Sequence, residues 1–317
     1  MVGQLGFLDH LVAGVRSRRK DQLADIEALM DWTALGALLA PLRPSRMGRP
    51  AYPPLVLFKV LLLQRWYGLS DEAVEDALVD RLSFRRFAGL SLEEAVPDAS
   101  TLCRFRNDIV AAGLGERLFA AAVSALSAKG MVVRAGTLID ASLIPAAVAE
   151  PRKQPGGGVS PLDPDAVWAK KGNKAVFGYK LHVAVDHGSG LVRQARLTPA
   201  NIADCTLGPD LVQGDEAMVY ADMGYDNAAL RQRLATSGIA DGVMRRPNRH
   251  HALSDAAIAR NTALGRIRGR VESVFGTLKR SYRRQRLVYV GLAKNSLDLL
   301  LTLMAMNLRR ARHLAQA

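Results

Sequence analysis

Three carboxylates and two cations stand in this chain at spacings suited to phosphodiester chemistry. Asp140 and Asp222 each close a short apolar run of strand character, and Glu272 lies within Arg268-Gly-Arg-Val-Glu272-Ser-Val-Phe-Gly-Thr-Leu-Lys279. On a continuous α-helix Arg268, Glu272 and Lys279 fall within about 40° of one face, so one carboxylate framed by two cations is expected. Cleaving a phosphodiester requires an in-line oxygen nucleophile, stabilisation of charge on the equatorial oxygens, and help for the leaving alkoxide. Two divalent ions about 3.5–4 Å apart supply all three. Mg²⁺ suits carboxylates because it is hard, prefers octahedral oxygen and keeps several waters for substrate to displace, and Mn²⁺ is able to substitute. Acids at rigid strand ends are aimed together at one edge of a sheet. Each residue also has a plainer reading. A strand-end Asp is commonly a turn former or helix cap, and an exposed Arg–Glu pair one helical turn apart contributes only a few tenths of a kcal/mol.

The elements that must position these groups follow from the pattern on either side of Met131. From Gln22 to about Lys129 the apolar spacing is helical, with little β-branched enrichment. Pro53-Pro54 opens a helix that Gly68 closes, and Ser70 caps the next, with Asp71 and Glu72 in its first turn. Pro97-Asp98-Ala99-Ser100-Thr101 opens another, Leu102 to about Ala112, which carries Arg104, Arg106 and Asn107. This resembles a helix-turn-helix, in which the second helix enters the major groove of DNA. Plain helical packing explains the same residues, and the two readings stand side by side.

From Met131 the texture turns to strands. Met131–Asp140, Gly178–Asp186 and Leu191–Leu197 read as strands, the last two joined at His187-Gly-Ser-Gly190 as a hairpin. Ala217–Asp222 and Gly242–Arg245 are further strands, with a helix over Asn227–Ser237 between them and helices from Ser254 to the end, including an apolar stripe over Leu297–Leu314. That order predicts a mixed sheet flanked by helices, as in ribonuclease-H-like folds. The expected fold class is therefore α+β, a helical domain over 1–130 and a ribonuclease-H-like domain over 131–317. Glu150 to Asp165 is rich in Pro and Gly and reads as a mobile loop. Lys170, Lys171 and Lys174 beside it are expected to touch backbone phosphates. Trp168 suits either a stacked base or a packing anchor, while Asp186 and Asp204 are explained by a hairpin turn and a helix cap.

Composition points the same way. The 317 residues carry a net charge of +13, and from Asp241 onward 16 Lys and Arg face 4 Asp and Glu, a surplus of +12 that leaves +1 for the first 240 residues. A polyanionic partner is expected on that C-terminal part. Cys103 and Cys205 form neither a disulfide framework nor a thiolate zinc pattern, which suits a reduced cytoplasm. The longest apolar stretch, Leu55–Leu63, is interrupted by Lys59 and is shorter than the roughly 20 residues of a membrane span. Met1–His10 lacks the charged and apolar regions of a secretion signal.

From roughly Leu42 to Arg310 the chain resembles bacterial insertion-sequence transposases of the DDE type, in the InsH-like (IS-five family) branch. The residues that carry the resemblance are Leu-Ile-Asp140-Ala-Ser, Gly178-Tyr-Lys-Leu-His, Thr198-Pro-Ala-Asn-Ile-Ala-Asp204, Ala-Asp222-Met-Gly-Tyr225, and Arg268-x-x-x-Glu272-x-x-x-x-x-x-Lys279. The resemblance implies that Asp140, Asp222 and Glu272 are the catalytic and metal-binding acids. It implies that Arg268 and Lys279 contact DNA near the scissile phosphate, and that copies of the chain assemble on double-stranded transposon ends and target DNA. Gly265 departs from the family, which usually has Tyr there. The rival expectations are an end-binding protein without catalysis, such as a repressor or decayed copy, and a nuclease that cuts without joining.

Overall fold

The computed structural model describes residues 21–42, 51–148, 160–247 and 252–316. The expectations for Met1–His10 and for most of the Glu150–Asp165 loop lie outside the described residues, as do the side chains of Lys171 and Lys174. The chain divides into two compact units: the described residues up to Lys129 with those from Leu300 on, and Gly130–Leu299.

The first unit is helical. Helices α1 (Gln22–Leu29), α2 (Thr33–Leu39), α3 (Pro54–Tyr67), α4 (Asp71–Asp80), α5 (Leu82–Ala88), α6 (Ala99–Ala111) and α7 (Gly115–Ala128) follow one another closely. Helix α3 is apolar on nearly all sides and is buried from Val56 to Gln64 and at Trp66, as such a helix must be. Its start has Pro54 in the first turn, and its end is Gly68 at φ 65°, a left-handed cap. Lys59, on its buried length, is tolerated because it pairs with Glu27 at 2.6 Å and lies over the Trp32 ring at 4.6 Å. Among the described residues no single helix is long and apolar enough to cross a membrane.

The second unit is built on a six-stranded mixed sheet of β1 (Thr137–Pro145), β2 (Val167–Lys171), β3 (Lys174–Asp186), β4 (Val192–Pro199), β5 (Met218–Ala221) and β6 (Ala240–Val243). Strand β1 is central: β3 pairs with it antiparallel on one side and β5 parallel on the other, with β6 parallel beyond β5. The other edge of the 13-residue β3 is shared, with β2 along Lys174–Gly178 and β4 along Tyr179–Val185. Gly178 stands at the changeover, and a Cβ there would lie 2.3 Å from the Ile144 carbonyl oxygen, so no larger residue fits without moving backbone. The order β4-β3-β1-β5-β6 is that of the ribonuclease-H-like fold, in agreement with the fold class read from the sequence. Helices α8 (Asp204–Leu207), α9 (Ala228–Thr236), α10 (Asp255–Arg268), α11 (Val271–Arg280) and α12 (Leu292–Leu314) complete the chain.

Four differences from the sequence reading have physical causes. Strand β2 covers Val167–Lys171, beyond the expected loop and without an expected element, because Gly172 at φ 60° turns the chain so that Trp168 meets Phe177 across the hairpin, centroids 5.6 Å apart. That contact supplies the packing expected of Trp168, whose ring is half-buried. Strand β1 begins six residues later than expected and runs on past Asp140 to Pro145, since Ala141–Pro145 still pair with β3 after β5 has ended. Helix α12 is one helix from Leu292, where Asp165 accepts from the Leu292 N–H at 2.8 Å and buried Asp163 accepts from Gly291 N–H and Tyr179. The boundary expected to leave 131–317 in one domain also shifts. Leu300, Leu301, Leu303, Met304 and Leu308 are buried, Trp66 donates to the Ala305 carbonyl at 2.7 Å, and the end of α12 groups with the first unit.

Candidate active site

Parallel pairing brings the two aspartates together. Ile139 of β1 is in register with Ala221 of β5, so Asp140 and Asp222 are the next residues on adjacent parallel strands, about 4.8 Å apart in strand spacing. The carboxyl end of a parallel strand is where ligands of such sheets commonly bind. Asp222 leaves β5 as an N-cap whose Oδ1 accepts from the Gly224 N–H at 2.8 Å, which fixes its direction over the turn Met223–Tyr225. Asp140 is half-buried on the same strand face as Ser142, while Ile139 on the opposite face joins a core of Val219, Ala221, Tyr225, Leu230 and Leu234.

The cations approach from α10 and α11, but not on one helix. Helix α10 ends at Arg268 and α11 starts at Val271, with a turn at Gly269-Arg270 whose amides bond back to Gly265 and Ile267. The expected single helix under Arg268, Glu272 and Lys279 is therefore corrected: Gly269 and Arg270 interrupt it. The Arg268 guanidinium lies 2.9 Å from Asp140 Oδ2, so it frames an aspartate rather than Glu272. Lys279 and Glu272, seven residues apart on α11, keep a common face. Lys279 Nζ donates to Ser142 Oγ at 2.7 Å, directing that face toward the Asp140 strand, and Glu272 itself is exposed. Gly265 lies inside α10, and a Cβ there would meet nothing within 4 Å. Gly265→Ala is expected to raise stability by about 0.5–1 kcal/mol, measured as a higher denaturant midpoint; a lower midpoint would mean the position needs glycine.

As they stand, these acids do not make a cage for a cation. Among the described residues no three His, Cys, Asp or Glu side chains are grouped to share an ion. The reason is local: Arg268 covers one oxygen of Asp140 and the other accepts from the Ala141 N–H.

A further group of residues, not singled out as a site by the sequence, surrounds the aspartates. Lys180 of β3 donates to the Ile202 carbonyl at 2.6 Å and pairs with Asp204 Oδ1 at 2.8 Å. Asp204 thus does more than begin α8. A Cβ placed on Gly224 would be 3.0 Å from Asp222 Oδ1 and 3.4 Å from Asp204 Oδ2, so both carboxylates lie against the same glycine. Beside them Tyr225 is fully buried, and its hydroxyl has no hydrogen-bond partner among the described residues. Leaving such a group unpaired costs about 1–3 kcal/mol. The signal for Tyr225 was its place three residues after Asp222; for Lys180 it was the β3 motif itself.

His182, two residues along β3, is fully buried, with Nε2 3.1 Å from Thr198 Oγ1. Burial, helped by Lys180 and opposed by Asp204, pushes its imidazole down to about 4 from 6.5. The unfolded chain takes up this proton near the ordinary value and the folded chain resists until about 4. The contribution is thus intact above pH 6.5 and is lost as pH falls through 6.5 toward 4, up to about 3 kcal/mol. His182→Gln is expected to flatten the pH dependence of the melting temperature in that window; an unchanged slope would rule out this residue as its source.

Outside this cluster the expected DNA contacts divide. Arg106 is not presented to solvent: it makes a bidentate ion pair with Asp71 at the start of α4, and Gln64 donates to the same carboxylate at 2.7 Å. The groove-reading role expected of Arg106 is corrected to the joining of two helices. Arg104 is exposed, bonded to Ser100 and Thr101 of its own helix, and Lys170 is exposed on β2. Asp186 is fully buried and accepts from Val133 N–H, Arg134 N–H, Ser189 N–H and Ser189 Oγ, a structural knot at the hairpin turn.

Comparison with known proteins fits this architecture. The family model described as Transposase DDE domain matches residues 133–308, more than half of the chain, and one described as Transposase domain (DUF772) matches 13–108. The chain belongs to the DDE-domain transposases. It is a transposase, of a family that generally uses divalent metal ions. A solved piggyBac transposase, in a synaptic complex with hairpin DNA, is similar at 10% identity and a TM-score of 0.43, over 92% of this chain and 74% of that one. At that level the likeness adds nothing to the fold, which rests on strand order.

Proposed function

We propose that this transposase cuts double-stranded DNA at the terminal inverted repeats of its element and joins the freed ends to target DNA, in the manner of the InsH-like branch. The observation that carries the reading is the register that sets Asp140 beside Asp222, with Arg268 and Lys279 within the same cluster. Asp140, Asp222 and Glu272 are the proposed catalytic acids, and Mg²⁺, replaceable by Mn²⁺, the proposed cofactor. In the first reaction water attacks the phosphorus at the element end and the bond to the 3′ oxygen breaks, leaving a 3′-hydroxyl. In the second that hydroxyl attacks a target phosphorus and displaces its 3′ oxygen, so bonds made and broken balance without a redox step.

Arg268 and Lys279 bring positive charge to the phosphate, and charge-assisted hydrogen bonds of that kind are among the stronger polar contacts. A phosphate that draws Arg268 away would uncover Asp140 for an ion shared with Asp222 and Glu272. Arg104, Lys170, Lys171 and Lys174 are proposed backbone-phosphate contacts, Arg106 keeping its place in the helical unit. Two ends must be held at once, so at least two copies are proposed to assemble on DNA, in the bacterial cytoplasm.

The test is a strand-transfer assay with end-containing duplex, target DNA and Mg²⁺ or Mn²⁺. Covalently joined product is expected. Cut but unjoined DNA would replace the reading with a nuclease, and salt-dependent end binding without any cutting would replace it with an inactive binder.

A further inference from the structure

We propose that Tyr225 is a positioning residue, whose hydroxyl donates to Asp204 in the DNA-engaged state and so locks the turn that carries Asp222. The inference rests on the cutting reaction proposed above. Tyr225 ends the turn Met223–Tyr225 that Asp222 caps, and its ring is anchored in the core with Ile139, Ala221, Leu230 and Leu234. Anything that fixes the phenol oxygen therefore fixes the chain three residues away from the aspartate.

The hydroxyl is fully buried and without a partner among the described residues, where phenylalanine would fill the same apolar space with no polar group to satisfy. A buried donor kept at that cost is explained if a second state uses it. The partner follows from the surroundings. Asp204 Oδ1 is engaged by Lys180, and Oδ2 faces Gly224, the residue before Tyr225. Burial first, and then the negative fields of Asp204, Asp140 and Asp222 in that order, push the phenol ionisation upward, with Arg268 opposing. The hydroxyl thus keeps its proton and serves as a donor to a carboxylate, never as an acceptor from one. Arg268 leaving Asp140 for DNA removes the cation that opposes those fields at the phenol, which links the new bond to the engaged state.

The experiment compares the full-length wild type with Tyr225→Phe, Asp204→Asn and the double variant in melting temperature, affinity for end DNA, and single-turnover cutting at saturating DNA. For Tyr225→Phe the expected result is a melting temperature equal to or above wild type, DNA affinity within twofold, and cutting slowed about 10–100-fold. Asp204→Asn keeps one acceptor oxygen but loses the charge that pairs with Lys180 and strengthens the bond, so it is expected to slow cutting by a factor of its own, and Tyr225→Phe is expected to cost less in the Asn background than alone. A Phe variant that cuts at the wild-type rate, or that loses stability and activity together, would overturn the role; so would losses that multiply in the double variant. A wild type that does not cut at all would sink the proposed reaction and this role with it, whereas an active wild type with an active Phe variant sinks the role alone.

Discussion

Asp222→Asn should abolish most DNA cutting while leaving the fold intact. Asn caps a turn as well as Asp does, so the bond to the Gly224 N–H survives and only the charge is lost. If Asp222 is one of the acids that handle the scissile phosphate, the single-turnover rate should fall by at least about 10³-fold, the scale seen when members of a catalytic set are removed. Melting temperature and end-DNA affinity should stay close to wild type. A cutting rate within tenfold of wild type would remove Asp222 from the reaction. The contrast with Asp140→Asn is informative, because that change also weakens the ion pair to Arg268 at 2.9 Å and is expected to alter DNA binding as well.

The largest stability loss is expected at a different carboxylate. Asp186→Ala strands the Val133, Arg134 and Ser189 amides and the Ser189 hydroxyl around a fully buried position. Each unsatisfied buried donor costs about 1–3 kcal/mol, part of which water recovers at the half-buried amides, so a total near 3 kcal/mol or more is expected. Arg134 adds to it, since its backbone sits at φ 61°, a strained conformation for a residue with a side chain, beside the amide Asp186 holds. Denaturant unfolding reads this directly. Asp186→Asn, which keeps one acceptor oxygen, should fall between; a loss under about 1 kcal/mol for Asp186→Ala would show that the turn holds itself.

Local chemistry made much of the fold legible. The Pro54 start and Gly68 stop of α3, the Ser70 cap of α4 and the Asn227 cap of α9 are where short-range rules put them, because caps act through bonds two or three residues long. The β3–β4 hairpin was legible for the same reason, Gly190 at φ 76° closing it. Long-range pairing was not. Nothing near Arg106 in sequence announces Asp71, 35 residues earlier, nor does anything near Arg268 announce Asp140, 128 residues earlier. Charge spacing also hid the Gly269-Arg270 break, since a 3.6-residue repeat assumes an unbroken helix. In the candidate site the sequence singled out Asp140, Asp222, Glu272, Arg268 and Lys279 by type and motif; which group each cation touches, Asp140 for Arg268 and Ser142 for Lys279, is a matter of packing. Tyr225 was quoted within a motif, but burial is what makes its hydroxyl noteworthy.

Three acids distant in sequence are proposed to meet when DNA is engaged, although in this structure Arg268 holds one of them and Glu272 is exposed. A structure of the full-length protein bound to its terminal repeat, with Mn²⁺ located by its anomalous scattering, tests that meeting most directly. Arg268 is expected on a DNA phosphate, with Asp140, Asp222 and Glu272 all ligating the located metal. Arg268 still on Asp140, with Glu272 in a separate neighbourhood from the two aspartates, would contradict the proposal.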